Sequence, residues 1–146
     1  ALNLHIGQHP DYLVDYVTLG LSQSANGRPS GLPNDQWRDL WWNIWAMTDA
    51  DAAIADYNSV GSAYQPEAGE TKAHTYHWLH TFSALGHLKT GAGVVTSDNP
   101  TALAFENNGV TTYVMYNFSG QDQAVSYSDN QSFIAAPYGF TVVTSP

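Results

Sequence analysis

The pattern of apolar positions changes character part-way along the chain. Before about residue 90, apolar side chains recur every three to four residues, the spacing that places them on one face of an α-helix. After that point they alternate with polar side chains, as is typical of β-strands. The pattern predicts an α+β fold with about four helices in residues 1–90 and a small antiparallel sheet in residues 91–146, packed on the helices as one unit.

Two helices are predicted in the first third of the chain. Pro10 begins the first, because proline is tolerated in a first turn and Asp11 favours the positive end of the helix dipole. The apolar positions of this helix are Tyr12, Leu13, Tyr16, Val17 and Leu19. Asn34 is the predicted N-cap of the second helix, since its side chain can accept a hydrogen bond from the first turn. The broad apolar face of the second helix consists of Trp37, Leu40, Trp41, Ile44 and Trp45.

Two further helices are predicted before the sheet. Thr48 or Asp49 caps a short third helix that runs from Ala50 to Tyr57. The stretch from Lys72 to Leu88 has the spacing of a fourth helix. We expect that helix to be interrupted or ended near Gly86, because glycine is common where helices stop.

Short strands are predicted in the remainder of the chain. Asn108-Gly109 indicates a two-residue hairpin turn, because both residues tolerate the positive φ that such a turn requires. Asn, Asp and Gly separate the other alternating runs. The candidate strands are residues 94–96, 101–105, 110–116, 124–127, 132–135 and 140–143.

Composition narrows the classes of partner. The 146 residues include 4 Lys and Arg against 13 Asp and Glu, which gives a formal net charge of −9. Nucleic acid is not predicted as a partner, because phosphate binding needs basic residues, and the same charge argues against an anionic membrane surface. No apolar run reaches the roughly 20 residues of a membrane span. The chain has no cysteine, which excludes disulfides and thiolate metal sites.

Three histidines lie three residues apart on the predicted fourth helix: His74, His77 and His80. Neighbouring histidines at this spacing can share a metal ion, but three of them spread over roughly 120° of the helix surface. Apolar side chains surround them. Buried histidines, hydrogen-bonded to backbone or carboxylates, are therefore the favoured interpretation, and no metal site is predicted.

Two acids and a tryptophan cluster suggest sugar chemistry. Glu67 and Glu70 precede the fourth helix, and glycoside hydrolysis uses a pair of carboxylates. The alternative is that Glu70 is a helix-start acid favoured by the dipole. Four of the five tryptophans lie between Trp37 and Trp45. They either form core, with their N–H groups satisfied, or offer rings on which sugars stack, and Trp42 is the best candidate for exposure because it lies off the main apolar stripe.

Several segments of the sequence resemble those of a known protein family. Three segments carry the resemblance most clearly: Leu2 to Val17, Gln36 to Asp56, and above all Ala73 to Leu88 (AHTYHWLHTFSALGHL). The stretches that begin at Val95, Gly109 and Ser126 continue it. Together they resemble the C-terminal part of glycoside hydrolase family 81, the endo-β-1,3-glucanases that cut laminarin-type glucan. The chain departs from the family pattern at residues 2–7, which lack a proline-containing entry segment, and at Met115, which replaces a small residue.

The resemblance implies a fold, a substrate and a location. The helical part would be a portion of an (α/α)6 barrel, and the enzyme would act extracellularly, without metal or cofactor. The catalytic acid and base of the family lie upstream of the matched region, so no catalytic residue is assigned here. The first residues, Ala1-Leu2-Asn3-Leu4-His5, lack the features of a signal peptide. With no initiator methionine, the chain is expected to be processed, cloned or excised.

Three functions stay open after these arguments. The chain is a segment of an endo-β-1,3-glucanase that needs the missing part, a non-catalytic β-glucan-binding module, or a structural domain that self-associates. The expected partners are β-1,3-glucan and either the missing part of a larger glucanase or a second copy. The residues predicted to bind substrate are Trp42, Tyr64, Glu67, Glu70, His74, Tyr76, His77 and Trp78.

Overall fold

The computed structural model describes residues 9–22, 38–60, 64–89 and 94–145. Within these ranges four α-helices precede six β-strands, and all strand pairs are antiparallel, which confirms the predicted α+β class. The chain divides into two compact units, Ala1–Gly86 and His87–Pro146. Packing of the helical and β parts as one unit stays a prediction.

The helices follow the predicted order, and two of them, α3 and α4, begin at identifiable caps. Their bounds are α1 Pro10–Ser22, α2 Arg38–Ala46, α3 Ala50–Val60 and α4 Lys72–Leu85. Asp49 caps α3, since its Oδ1 accepts a 3.0 Å hydrogen bond from the Ala52 N–H. Thr71 caps α4 in the same way, through a 3.0 Å bond from the His74 N–H to its Oγ1. The predicted cap Asn34 and the side chain of Trp37 lie outside the described residues.

The predicted end of α4 near Gly86 is confirmed, since the helix stops at Leu85 and Gly86 is its C-cap. Its φ of 83° takes the backbone out of the helix, and its N–H donates a 2.8 Å bond to the Phe82 carbonyl. A positive φ of this kind is accessible to glycine at little steric cost. Residues 87 and 88, expected at the end of the helix, therefore form the short strand β1.

Helix α2 is the most deeply buried helix among those described. Trp41, Trp42 and Ala46 are buried, and so are the polar side chains of Arg38, Asp39 and Asn43. Both α3 and α4 pack on α2. The predicted single apolar face does not match the buried side of α2. Leu40, Ile44 and Trp45 of that face are only half-buried, because α2 is covered on several sides and its most buried residues lie elsewhere.

The apolar stripe predicted for α1 is only partly buried. Leu13 and Val17 lie in the core, whereas Tyr12, Tyr16 and Leu19 are exposed. Tyr16 still contacts the neighbouring helix, with its ring 5.4 Å from that of Trp41. Among the described residues, α1 therefore uses a narrow i, i+4 contact rather than the whole stripe.

The strands form a four-stranded sheet and a separate hairpin. Their bounds are β1 His87–Leu88, β2 Ala102–Asn107, β3 Val110–Asn117, β4 Gln123–Ser126, β5 Ser132–Ala135 and β6 Gly139–Ser145. The sheet order is β1-β2-β3-β6, and β4 pairs with β5. Asn108 and Gly109 have φ values of 52° and 83°, which confirms the predicted tight turn between β2 and β3.

The strand predicted at residues 94–96 is wrong. Apolar Val95 packs against the core of the β unit, as the alternation suggested, but the backbone here does not join a ladder. Its N–H bonds to the Lys89 carbonyl at 3.1 Å, and Thr96 instead contacts Ser128. A single bridge between Ser97 and Tyr127 takes the place of the strand.

One face of the sheet supplies the core of the β unit. The buried residues of this core are Ala102, Ala104, Tyr113, Met115, Val125, Tyr127 and Ala135. Tyr113, Met115 and Asn117 alternate along β3, so all three point to the same side. Met115 is fully buried, and its flexible thioether suits an irregular core position.

Asn117 organises the end of this core. Its Nδ2 donates to the carbonyls of Gln121 and Ala135, at 2.8 and 3.0 Å, and its Oδ1 accepts from the Ser119 N–H and hydroxyl, both at 2.8 Å. The side chain is fully buried and therefore holds the β3–β4 turn to β5. Asn117 also begins an Asn-Phe-Ser acceptor triplet for glycosylation, but in this fold its amide is committed to the core.

Replacing Asn117 with Ala should lower the free energy of unfolding by at least about 2 kcal/mol, because several buried backbone groups lose their partner at once. The urea midpoint of the variant measures this loss. Asn58→Ala is the matched control, because Asn58 is an exposed residue of α3 and its change should stay within about 0.5 kcal/mol. Equal midpoints for the two variants would contradict the role of Asn117.

Two buried tyrosines of the β core resist ionisation. Burial raises the pKa of Tyr113 to about 12, and the hydrogen bond that Tyr113 donates to Asp129 acts in the same direction. Burial also raises the pKa of Tyr127 to about 12, reinforced by the neighbouring Tyr113 and Asp129. The two rings meet edge to face with centroids 4.9 Å apart.

These raised pKa values predict a loss of stability at alkaline pH. In the unfolded chain a tyrosine ionises near about pH 10, so between about pH 10 and 12 the folded β unit holds protons that the unfolded chain releases. Stability is therefore complete below about pH 10 and falls as pH rises through the folded pKa. Urea midpoints from pH 8 to 12 should show this fall, and Tyr127→Phe should make it shallower. A slope that is identical in Tyr127→Phe and the parent chain would contradict this assignment.

Candidate functional site

Apart from Trp42, which lies on α2, the predicted binding residues lie on the loop before α4 and on α4 itself. A buried carboxylate fixes that loop: Asp39 of α2 accepts the Glu67 N–H at 2.7 Å through Oδ2 and the Leu40 N–H at 3.0 Å through Oδ1. Because Asp39 is almost fully buried, these bonds hold the loop against α2 without competition from water. The backbone position of Glu67 is thus fixed by a residue of another element, and the Glu67 side chain is half-buried.

The prediction that Trp42 is exposed is wrong. Its side chain is fully buried, and its Nε1–H donates a 2.7 Å hydrogen bond to Asp56 of α3. The rings of Tyr57 and Tyr64 meet it edge to face at 5.1 and 5.0 Å. Trp42 is buried although it lies off the apolar stripe of α2, because a second helix, α3, covers that side.

Tyr64 belongs to the same buried layer. Its ring lies beneath the ammonium group of Lys72, which is 5.0 Å from the ring centroid. Burial raises the pKa of its phenol. In this conformation neither Trp42 nor Tyr64 presents a ring face to solvent, and we infer that both support the residues above them.

A first cluster at the surface joins the exposed His74 with the half-buried Glu70 and Trp78. His74 Nδ1 and the Glu70 carboxylate form a hydrogen bond across one helical turn. The imidazole lies 6.0 Å from the Trp78 ring. Trp78 is half-buried and donates its Nε1–H to the Asn43 carbonyl at 2.8 Å, which anchors the indole while part of it stays accessible.

The second exposed cluster joins Tyr76, His77 and His80. The ring of Tyr76 lies 4.2 Å from that of His80 and 5.8 Å from that of His77. Tyr76 is 47% exposed. Tyr57 connects it to the buried layer, since its ring lies 6.5 Å from Tyr76 and 5.1 Å from Trp42.

The expectation of buried histidines is also wrong. His74, His77 and His80 are all exposed, because α4 is covered on one side only, where Thr75, Leu79 and Phe82 are buried. Among the described residues no group of three or more His, Asp or Glu side chains is arranged to hold a metal ion. No helix among them is long and apolar enough to cross a membrane.

Sequence reasoning missed three residues of this site. His80 is predicted from the sequence to be buried and is not among the predicted binding residues, although its i, i+4 spacing from Tyr76 places the two rings together. Asp39 and Asp56 lie in helices and gave no signal of their own. The neighbouring tryptophans could have indicated both aspartates, because a buried indole N–H and a buried loop amide each require a hydrogen-bond acceptor.

Nearly the whole chain is similar in sequence to two glucosidases and in structure to a solved glycoside hydrolase. A glucan endo-1,3-beta-D-glucosidase of Thermobifida fusca is 34% identical over 137 residues, which is 94% of this chain. An enzyme of the same name from Acetivibrio thermocellus is 33% identical over 144 residues, or 99% of this chain. The solved structure of a glycoside hydrolase family 81 protein from Clostridium thermocellum superposes on 98% of the chain with a TM-score of 0.78 and 30% identity. The chain matches a segment of glycoside hydrolase family 81.

This chain corresponds to a small part of the proteins it resembles. It spans 17% of the length of each of the two glucosidases and 18% of the solved chain. No family model matches it. The two glucosidases and the solved structure confirm that the chain resembles a segment of family 81 proteins. They do not assign the activity of a whole enzyme to this chain.

Trp42→Ala should destabilise the helical part of this chain by about 3–5 kcal/mol, as truncation of a large buried aromatic does. Tyr12→Ala, an exposed aromatic of α1, is the matched control and should stay within about 0.5 kcal/mol. Urea unfolding followed by far-UV circular dichroism measures both. Similar midpoints for the two variants would show that Trp42 is not a core residue.

Proposed function

We propose that this chain is a β-1,3-glucan-binding segment of a secreted, laminarin-degrading family 81 protein, and that hydrolysis depends on residues outside it. One observation carries the proposal: α4 and its preceding loop bring aromatic rings and polar groups together at the surface. The surface residues that would contact glucan are Glu67, Glu70, His74, Tyr76, His77 and Trp78.

The chemistry of this surface suits a neutral sugar. Tyr76 and Trp78 offer apolar ring area, and amphipathic rings of this type bury large area while keeping a polar end in water. The Glu70–His74 pair and His77 offer donors and acceptors for hydroxyl groups. Glucan has no charge, so the net charge of −9 does not oppose binding.

The geometry gives less support to hydrolysis by this chain alone. Inversion needs two carboxyl groups roughly 6.5–9.5 Å apart, one protonated and one that activates water. The Glu70 carboxylate is already engaged by His74, and the backbone of Glu67 is held by Asp39. Neither glutamate matches the catalytic motifs of the family, so we expect the acid and base in another part of the protein, which is then a partner of this chain.

Tyr76→Ala tests the binding surface. If the exposed ring stacks on glucan, the variant should bind laminarin about tenfold more weakly, a loss of about 1.4 kcal/mol. Tyr12→Ala is the matched control, because it removes an exposed tyrosine from α1 of the same unit. Affinity electrophoresis in laminarin gels and tryptophan fluorescence titration give the dissociation constants.

Two results would contradict the proposal. If fluorescence and gel mobility stay unchanged up to about 1 mM laminarin chains, binding weaker than this limit excludes a specific site. If the purified chain releases reducing sugar from laminarin, and Glu67→Gln abolishes that release, the chain is catalytic and the second half of the proposal is wrong.

A further inference from the structure

The Glu70–His74 pair fixes which ring nitrogen of His74 carries a proton. The Glu70 carboxylate forms a hydrogen bond with His74 Nδ1. An ionised carboxylate can only accept a hydrogen bond, and a neutral imidazole has one N–H donor and one bare acceptor nitrogen. The proton of a neutral His74 ring therefore lies on Nδ1, and Nε2 is left as an acceptor.

Exposure separates the roles of the two side chains. The His74 side chain is 48% exposed, whereas that of Glu70 is 19% exposed. The ring of Trp78 lies 6.0 Å from the imidazole, and its Nε1–H is already used by the Asn43 carbonyl. No residue that the structure describes forms a hydrogen bond with His74 Nε2. The surface of this cluster therefore combines indole area with one imidazole nitrogen that can accept a proton donor.

We propose that Glu70 is a positioning residue that holds His74 in the Nδ1–H tautomer, so that Nε2 accepts a hydrogen bond from a glucan hydroxyl beside Trp78. A β-linked glucosyl residue carries hydroxyl groups around its rim and C–H groups on its faces. A sugar whose C–H groups contact Trp78 brings rim hydroxyls next to the imidazole. The inference rests on the proposed glucan site and adds to Glu70 a role that acts through His74.

The turn before α4 holds both partners in place before a ligand arrives. The Glu70 N–H donates a 2.9 Å bond to the Glu67 carbonyl, and Gly69 in this turn has a φ of 92°. Thr71 accepts the His74 N–H at 3.0 Å, so the imidazole projects from a fixed backbone. Groups that are held in their binding geometry in advance lose less conformational entropy on binding.

Nitrogen-15 NMR of the imidazole rings reports the tautomer directly, because protonated and bare ring nitrogens resonate at different frequencies. At about pH 8, above the ordinary histidine pKa of about 6.5, His74 should show a protonated Nδ1 and a bare Nε2. Glu70→Ala should shift His74 towards the Nε2–H tautomer that an isolated histidine favours. Glu67→Ala removes a carboxylate from the same turn and should leave the His74 tautomer unchanged. His74→Gln identifies the His74 resonances by their loss.

Laminarin affinity, measured by tryptophan fluorescence titration, tests the link to binding. Glu70→Ala should weaken binding about tenfold, as loss of one hydrogen bond does. His74→Gln keeps an amide oxygen near the position of Nε2 and should bind within about threefold of the parent chain, whereas His74→Ala should lose about tenfold. Asp15→Ala, which removes an exposed carboxylate from α1, is the matched control and should bind as the parent does.

A double variant separates positioning from direct contact. Glutamine has no tautomer to fix, so Glu70→Ala should weaken binding less than about twofold in the His74→Gln background, because the two effects are coupled. An equal loss in both backgrounds would show that Glu70 itself contacts glucan. Circular dichroism checks that each variant folds. If Glu70→Ala does not fold, Glu70→Gln takes its place, because an amide can donate to Nδ1 as well as accept from it.

Three results would overturn the proposal. The first is a bare Nδ1 or a doubly protonated His74 ring in the parent chain at about pH 8. The second is a His74 tautomer that stays the same without the Glu70 carboxylate, and the third is the equal loss of affinity in both backgrounds. If His74 shows the expected tautomer but laminarin does not bind, the proposed function fails and the hydroxyl contact fails with it, while the effect of Glu70 on the tautomer stands.

Discussion

The helical unit depends on the burial of α2 together with its polar groups. Trp42 contributes the largest fully buried side chain among the described residues, and its indole N–H must find an acceptor in an environment without water. Asp56 of α3 supplies it. In the same way the buried Asp39 carboxylate is satisfied by backbone N–H groups, one of them from the loop before α4. Apolar burial provides the driving force, and these paired polar groups fix which segments cover α2.

This constraint separates the roles of the candidate binding residues. Trp42 and Tyr64 form a buried layer, whereas Glu70, His74, Tyr76 and His77 lie at the surface above it. Ring contacts connect the two layers from Trp42 through Tyr57 to Tyr76. The buried aromatic side chains therefore support the exposed ring of Tyr76 from below.

The β unit also has a buried polar side chain whose hydrogen bonds hold neighbouring segments together. Its core combines small apolar residues with two tyrosines. The buried Asn117 amide joins the ends of β3 and β5, because its Nδ2 donates and its Oδ1 accepts hydrogen bonds. Tyr113 and Tyr127 are held neutral by burial. One face of the sheet thereby contributes to the core of the β unit, whereas the side chains of Phe140 and Val142 on β6 are exposed.

The sequence by itself determined the order and type of most elements, because these depend on local periodicity and local caps. Apolar spacings of three to four residues located α1 to α4, and alternation located five of the strands. Asn108-Gly109 located the hairpin, and the block Ala73–Leu88 pointed to family 81. Tertiary structure alone decided which residues are covered. Trp42 is buried because α3 packs on the side that α2 alone would expose. His77 is exposed because α4 is covered on one face, and residues 94–96 are not a strand because their backbone partners are Lys89 and Ser128. Periodicity records which side chains are apolar, but burial depends on which segments of the chain meet, and those contacts join residues far apart in sequence.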